Sequence, residues 1–136
     1  MTPYPHGFLV QESLPSEWHI LVSAILLNQS RRTLRWDDTL HQIFGRWNTP
    51  QEMSDASEDL EVLLKPHGFQ NVKAKRLRRM SEDYLTWDRK SAKDLYGCGQ
   101  YAHDSWRIFV LGDRPEAVDD GPLQEFLDSD RAKFSG

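Results

Sequence analysis

Leu95-Tyr96-Gly97-Cys98-Gly99-Gln100-Tyr101, running on into Ala102-His103-Asp104-Ser105-Trp106-Arg107-Ile108-Phe109, is the stretch that decides the fold. Two glycines one residue apart permit a tight turn and leave backbone N–H groups uncovered by side chains. Beyond them Tyr101, Ser105, Ile108 and Phe109 recur at helical spacing, which predicts a helix. A Gly-rich turn feeding a helix N-terminus suits a phosphate, because amide donors and helix dipole point the same way. Ser91 to Asp94, with Leu95, supply the preceding arm, so the whole reads as helix, hairpin, helix. Taken alone, the same turn serves equally well as an ordinary connection between helices.

Upstream, Ser16 is placed to cap a helix from Glu17. Trp18, Leu21, Val22, Ile25 and Leu26 follow at i, i+3, i+4, i+7 and i+8, and Ile20, Ala24 and Leu27 widen the stripe. Apolar cover on most sides predicts a buried central helix, ending in Asn28-Gln29-Ser30. Arg31 to Trp47 reads as a second helix, with Leu34, Leu40, Ile43, Phe44 and Trp47 inward and Arg31, Arg32 and Arg35 outward. Two short helices are expected next, from Pro50 to about Ala56 and from Ser57 to Leu64. Lys65-Pro66-His67-Gly68-Phe69 is a loop in which Pro66 stops a helix and Gly68 is free to take positive φ. Asn71 is expected to cap a helix from Val72 to about Tyr84, whose basic face covers Val72, Leu77, Met80 and Tyr84. Downstream, Gly112 ends the hairpin's second helix; an acidic loop and a last helix with Leu123, Phe126 and Leu127 follow. With no strand-like alternation of useful length and no repeat, the fold class is all-α.

Composition sets the bounds. With 136 residues, 38% of them apolar, one modest core is expected, hence a single domain over residues 1–136 with an irregular arm over 1–8. The start lacks the pattern of a secretory signal and no apolar run is long enough to span a membrane. A reducing, intracellular setting is expected, the nucleus in a eukaryote and the cytoplasm otherwise, with no membrane partner. Cys98 is the single cysteine, which excludes an internal disulfide and a four-cysteine metal cluster. The net charge of −4 argues mildly against nucleic acid, but its distribution matters more. Lys73, Lys75, Arg76, Arg78 and Arg79 run together without an acid, whereas Asp113 to Asp130 is strongly acidic. On charge alone the basic run is a solvated helix face.

The order of motifs narrows the reading. Leu9-Val10-Gln11-Glu12, Trp18 through Asn28, Leu63-Leu64-Lys65-Pro66-x-Gly68, Lys73-Ala74-Lys75, Ser81-x-Asp83-Tyr84-Leu85 and the hairpin with Asp104-Ser105-x-Arg107-Ile108-Phe109 occur in sequence over nearly the whole chain from Leu9. In this the chain resembles the helix–hairpin–helix DNA glycosylase superfamily, closest to glycosylase domains of the methyl-CpG-binding-domain thymine/uracil mismatch type. The resemblance implies an all-α helix–hairpin–helix glycosylase fold without an iron–sulfur cluster. It also implies monofunctional removal of thymine or uracil opposite guanine in double-stranded DNA, by a monomer, after base flipping. A glycosylase for another modified pyrimidine, and a DNA-binding module that has lost catalysis, are the alternatives.

The site residues follow from the same resemblance. The family's essential Asp falls in Val118-Asp119-Asp120-Gly121-Pro122-Leu123. Asp120 is chosen as catalytic, because an apolar residue follows the family Asp by three, as Leu123 follows Asp120; Asp119 is the reserve. Such a carboxylate, ionised at neutral pH, stabilises a cationic sugar and helps place water. Related enzymes that cleave the strand carry a hairpin lysine where this chain has Tyr101, so excision without lyase action is expected. Gln11 and Tyr101 are assigned to the base pocket, Gln29 to the gap left by flipping, and Phe69 to an apolar wedge. Lys73 and Lys75, with Gly97, Gly99 and Gln100 of the hairpin, are expected to hold DNA. Asp104 is read as structural. Gln29 stands where the most similar branch has arginine, Phe69 replaces a leucine, and Pro122 replaces a lysine after the catalytic Asp. No cofactor or metal is expected, although the hairpin carbonyls are suited to a monovalent cation.

Overall fold

The computed structural model describes residues 16–28, 33–115, 117, 118, 124, 127 and 128. Among these the secondary structure is helical throughout, without a strand: α1 (Glu17–Leu27), α2 (Leu34–Arg46), α3 (Pro50–Ser54), α4 (Asp59–Leu64), α5 (Gln70–Tyr84) and α6 (Gln100–Phe109). Single 3₁₀ turns, Lys65–His67 and Ala92–Asp94, lead into α5 and into the hairpin.

Helix α1 is the axle. Every residue from Trp18 to Leu27 is buried, as the apolar cover predicts. The Ser16 side chain accepts from the His19 amide at 3.3 Å, satisfying an otherwise orphaned donor. Helices α5 and α6 pack against α1, α3 and α4 against α5, and α2 against α4. The resulting core takes in Trp18, Leu21, Leu26, Leu40, Ile43, Leu60, Leu64, Leu77 and Met80. Two polar ties cross it. Trp18 donates from Nε1 to Ser81 Oγ at 3.0 Å. The Glu17 carboxylate, only 8% exposed, receives Tyr84 Oη and Trp106 Nε1, each at 2.9 Å, and Arg89 at 2.6 Å. Burying a carboxylate is tolerated because donors surround it.

Four local expectations are corrected. Leu34 is 65% exposed; Trp36, two positions on, takes the buried place, because Thr33 caps α2 and turns Leu34 outward in the first turn. The fourth helix begins at Asp59 rather than Ser57, which instead closes a turn by accepting the Leu60 amide on its carbonyl at 3.0 Å. Helix α5 begins at Gln70, so Asn71 lies inside its first turn and caps nothing. Two successive left-handed residues, Gly68 at φ 79° and Phe69 at φ 51°, set the helix start instead. Val72 consequently stands 46% exposed, and Ala74 lies in the core.

Candidate nucleic-acid interface

The hairpin is built by one turn and one close approach. The Cys98 amide bonds to the Leu95 carbonyl at 3.1 Å, closing a four-residue turn whose third position is Gly97 at φ 80°. That φ favours glycine, and a Cβ there would also lie 3.0 Å from the Arg76 side chain of α5. Gly99 is the N-cap of α6, no side chain caps the helix, and nothing stands within 4 Å of where a Gly99 Cβ would be. The space beside Gly99 is therefore open, with the positive end of the helix dipole behind it.

Helix α5 holds this turn in place. Asp83 accepts the Tyr96 amide at 2.9 Å, and Arg79 and Lys75 lie over the Tyr96 ring at 4.4 and 6.0 Å from its centroid. An open pocket of about 590 Å³ lies at the turn, lined by Asn28 at the end of α1, Arg76 and Asp83 of α5, and residues 93–99. Cys98 faces inward; burial, with Asp83 nearby, pushes its thiol up to about 12. It is therefore an inert core group rather than a nucleophile.

The basic run does not form one face. Arg78 turns inward, donating to Glu61 in bidentate fashion and to the Ala56 and Ser57 carbonyls at 2.9 and 2.8 Å. It staples the α3–α4 junction to α5, and the same bonds hold the Glu61 carboxyl below its usual range. Lys73 folds back on the preceding loop, its Nζ 3.1 Å from the His67 carbonyl and 2.9 Å from that of Gly68. Beside it Phe69 projects with 80% of its surface exposed. Seven residues of helix separate Phe69 from Arg76, about 10 Å of rise, so loop and hairpin mark two stations along α5.

The structure thus brings Gly97, Gly99, Gln100 and Tyr101 together with Lys75, and sets Phe69 and Lys73 at the second station. The Gln100 side chain runs along its own helix, donating to the buried Asp104 carboxylate at 2.8 Å. Tyr101 is half-buried and packs on both the main core and the smaller cluster of Ile108 and Leu127. Val118 joins that cluster, and its amide bonds to Gln124 Oε1 at 2.9 Å. Val118, next to Asp119 in the chain, and Leu127 thereby share a cluster with Tyr101 of α6. Gln11, Gln29, Asp119, Asp120 and Pro122 themselves lie outside the described residues.

Sequence reasoning passed over Glu17, Trp36, Thr39 and His67. No periodicity could single out Glu17, whose donors come from residues 67 to 89 positions away. The motif Ser81-x-Asp83-Tyr84 did carry a signal: Ser81 and Tyr84 tie α5 to α1 through Trp18 and Glu17, and Asp83 ties it to the hairpin through Tyr96.

A glycine turn placed between a basic helix and a helix N-terminus without a side-chain cap is the arrangement of a helix–hairpin–helix unit. The profile of the HhH-GPD superfamily base excision DNA repair proteins matches residues 22–132, and the chain belongs to that family. Over 109 residues it is 28% identical to the methyl-CpG-binding domain protein 4-like protein of Arabidopsis thaliana, covering 79% of this chain and 24% of that protein. The chain thus spans about a quarter of that relative's length. A solved thermostable thymine-DNA glycosylase has the same fold, with a TM-score of 0.66 at 15% identity, covering 88% of this chain and 68% of that one.

Proposed function

We propose that this protein is a monofunctional DNA glycosylase that hydrolyses the N-glycosidic bond of thymine or uracil opposite guanine in double-stranded DNA. The observation that carries the reading is Tyr101 in the first turn of α6, directly after the open hairpin, against the cluster to which Val118 is anchored. It offers the flipped pyrimidine an aromatic wall where a strand-cleaving relative would offer an amine. The name of the solved thymine-DNA glycosylase supports a pyrimidine substrate.

In this mechanism the hairpin amides and Lys75 grip the phosphates, fixing register without reading sequence. Phe69 enters the stack on one side and Gln29 fills the vacated position, so the nucleotide stays extruded. Gln11 presents an amide, donor and acceptor together, to the uracil-like edge. As the glycosidic bond lengthens, positive charge develops on the sugar; the Asp120 carboxylate stabilises it and orients the attacking water. Without an amine at position 101, no Schiff base forms and the abasic strand stays intact. A monovalent cation on the hairpin carbonyls would strengthen the phosphate contact.

The test is a single-turnover assay on labelled duplexes carrying G·T, G·U or normal pairs, each read with and without hot alkali. Cutting at the mismatch only after alkali is the expected result. Cutting without alkali would overturn the monofunctional assignment. Tight, salt-sensitive binding with no base release from any duplex would point instead to another lesion or to a module without catalysis.

A further inference from the structure

The loop that carries Phe69 holds an arrangement that its backbone alone would not keep. Gly68 and Phe69 both have positive φ, a pose that a residue with a side chain disfavours. Phe69 recovers none of this by burial, being 80% exposed. The compensation lies one residue earlier. The His67 ring stacks on Trp36 with centroids 3.6 Å apart and planes 18° from parallel, and its Nε2 lies 2.7 Å from Thr39 Oγ1. Trp36 and Thr39 are 5% and 6% exposed, so the ring rests on fixed partners. Lys73 closes the far side, bonding both the His67 and Gly68 carbonyls and lying 5.3 Å from the Trp36 ring.

We propose that His67 is a positioning residue for the wedge: stacked on Trp36 and bonded to Thr39, it holds Gly68 and Phe69 in the pose that enters the duplex. The inference rests on the reading of Phe69 as the inserted side chain. Its physical content is preorganisation. A loop ordered before DNA arrives does not lose its conformational freedom on binding, so more of the contact energy goes into keeping the nucleotide extruded. Neutral imidazole suits the role. Burial, then Lys73 of α5 and Arg35 of α2, which face the ring, hold its pKa below the usual 6.5, leaving it uncharged at neutral pH.

The experiment compares wild type, His67→Ala, His67→Phe and Phe69→Ala on uracil in a G·U pair and on uracil already unpaired in an internal bubble. His67→Phe keeps a ring for Trp36, and thermal melts confirm that each variant is folded. His67→Ala is expected to lower single-turnover excision from the G·U duplex about tenfold while leaving the bubble rate within about twofold of wild type. His67→Phe should restore most of the loss, and the double variant with Phe69→Ala should be no slower than Phe69→Ala alone. Equal rates for His67→Ala and wild type, or an equal loss on both substrates, would overturn the inference. If wild type excises neither substrate, the glycosylase reading fails separately, and 2-aminopurine fluorescence in the bound duplex decides the inference. Opening by wild type but not by His67→Ala supports it; equal opening, or none by wild type, overturns it.

Discussion

Gly97 and Glu17 show how much a single position carries here. At Gly97 the backbone sits at φ 80°, and a methyl group would press on Arg76 at 3.0 Å. Gly97→Ala is therefore expected to cost about 1–3 kcal/mol and to weaken duplex binding, because the turn that exposes the α6 amides must shift. Urea unfolding and fluorescence anisotropy on one preparation would check both effects. Glu17 is the opposite case, a charge that the core accepts only because Tyr84, Trp106 and Arg89 supply donors. Glu17→Leu strands those donors and should destabilise the fold by about 2 kcal/mol, less than a fully buried pair, since Arg89 is 56% exposed. Tyr84→Phe, which removes one donor, should cost about 1 kcal/mol.

At the scale of the element, α5 divides its basic residues by direction. Lys75 is exposed over the hairpin, whereas Arg78 is held at Glu61 and two backbone carbonyls. Lys75→Ala should reduce the slope of log binding constant against log salt by about one phosphate contact and leave stability within about 0.5 kcal/mol. Arg78→Ala should leave that slope unchanged and cost about 1–3 kcal/mol of stability. The same pair predicts a pH dependence. Glu61 titrates below its usual 4.5, chiefly through the Arg78 hydrogen bond. Its folded pKa is depressed, so the contribution is present above pH 4.5 and lost as pH falls through the folded value. Denaturant midpoints of wild type and Glu61→Gln should differ at about pH 7 and converge on acidification.

For the whole molecule, the decisive prediction concerns the acidic segment between Val118 and Gln124. Val118 and Leu127 anchor either side of that segment beside Tyr101. Asp120→Asn should abolish charge stabilisation at the sugar and lower single-turnover excision by roughly a hundredfold or more, with duplex affinity retained. Asp119→Asn should excise at close to the wild-type rate. The opposite pattern would move the catalytic role to Asp119, and loss in neither variant would remove it from this segment.

Among the described residues, which segments are helical, which helix is central and where the chain turns were legible from the residues alone. Those properties depend on neighbours three or four residues away, on a glycine pair or on a capping serine. The sequence also carried the family resemblance, because motif order survives without coordinates. Where polar side chains point emerges only once the helices are packed. Arg78 and Lys75 sit three residues apart with like charge, yet one is half-buried against Glu61 and the other faces solvent. The start of α5 moved to Gln70 because Lys73, Trp36 and Thr39 stabilise a left-handed loop that local propensity disfavours. Hydrogen bonds and ring stacking act over a few ångströms between residues distant in the chain, so their outcome is fixed by packing and not by pattern.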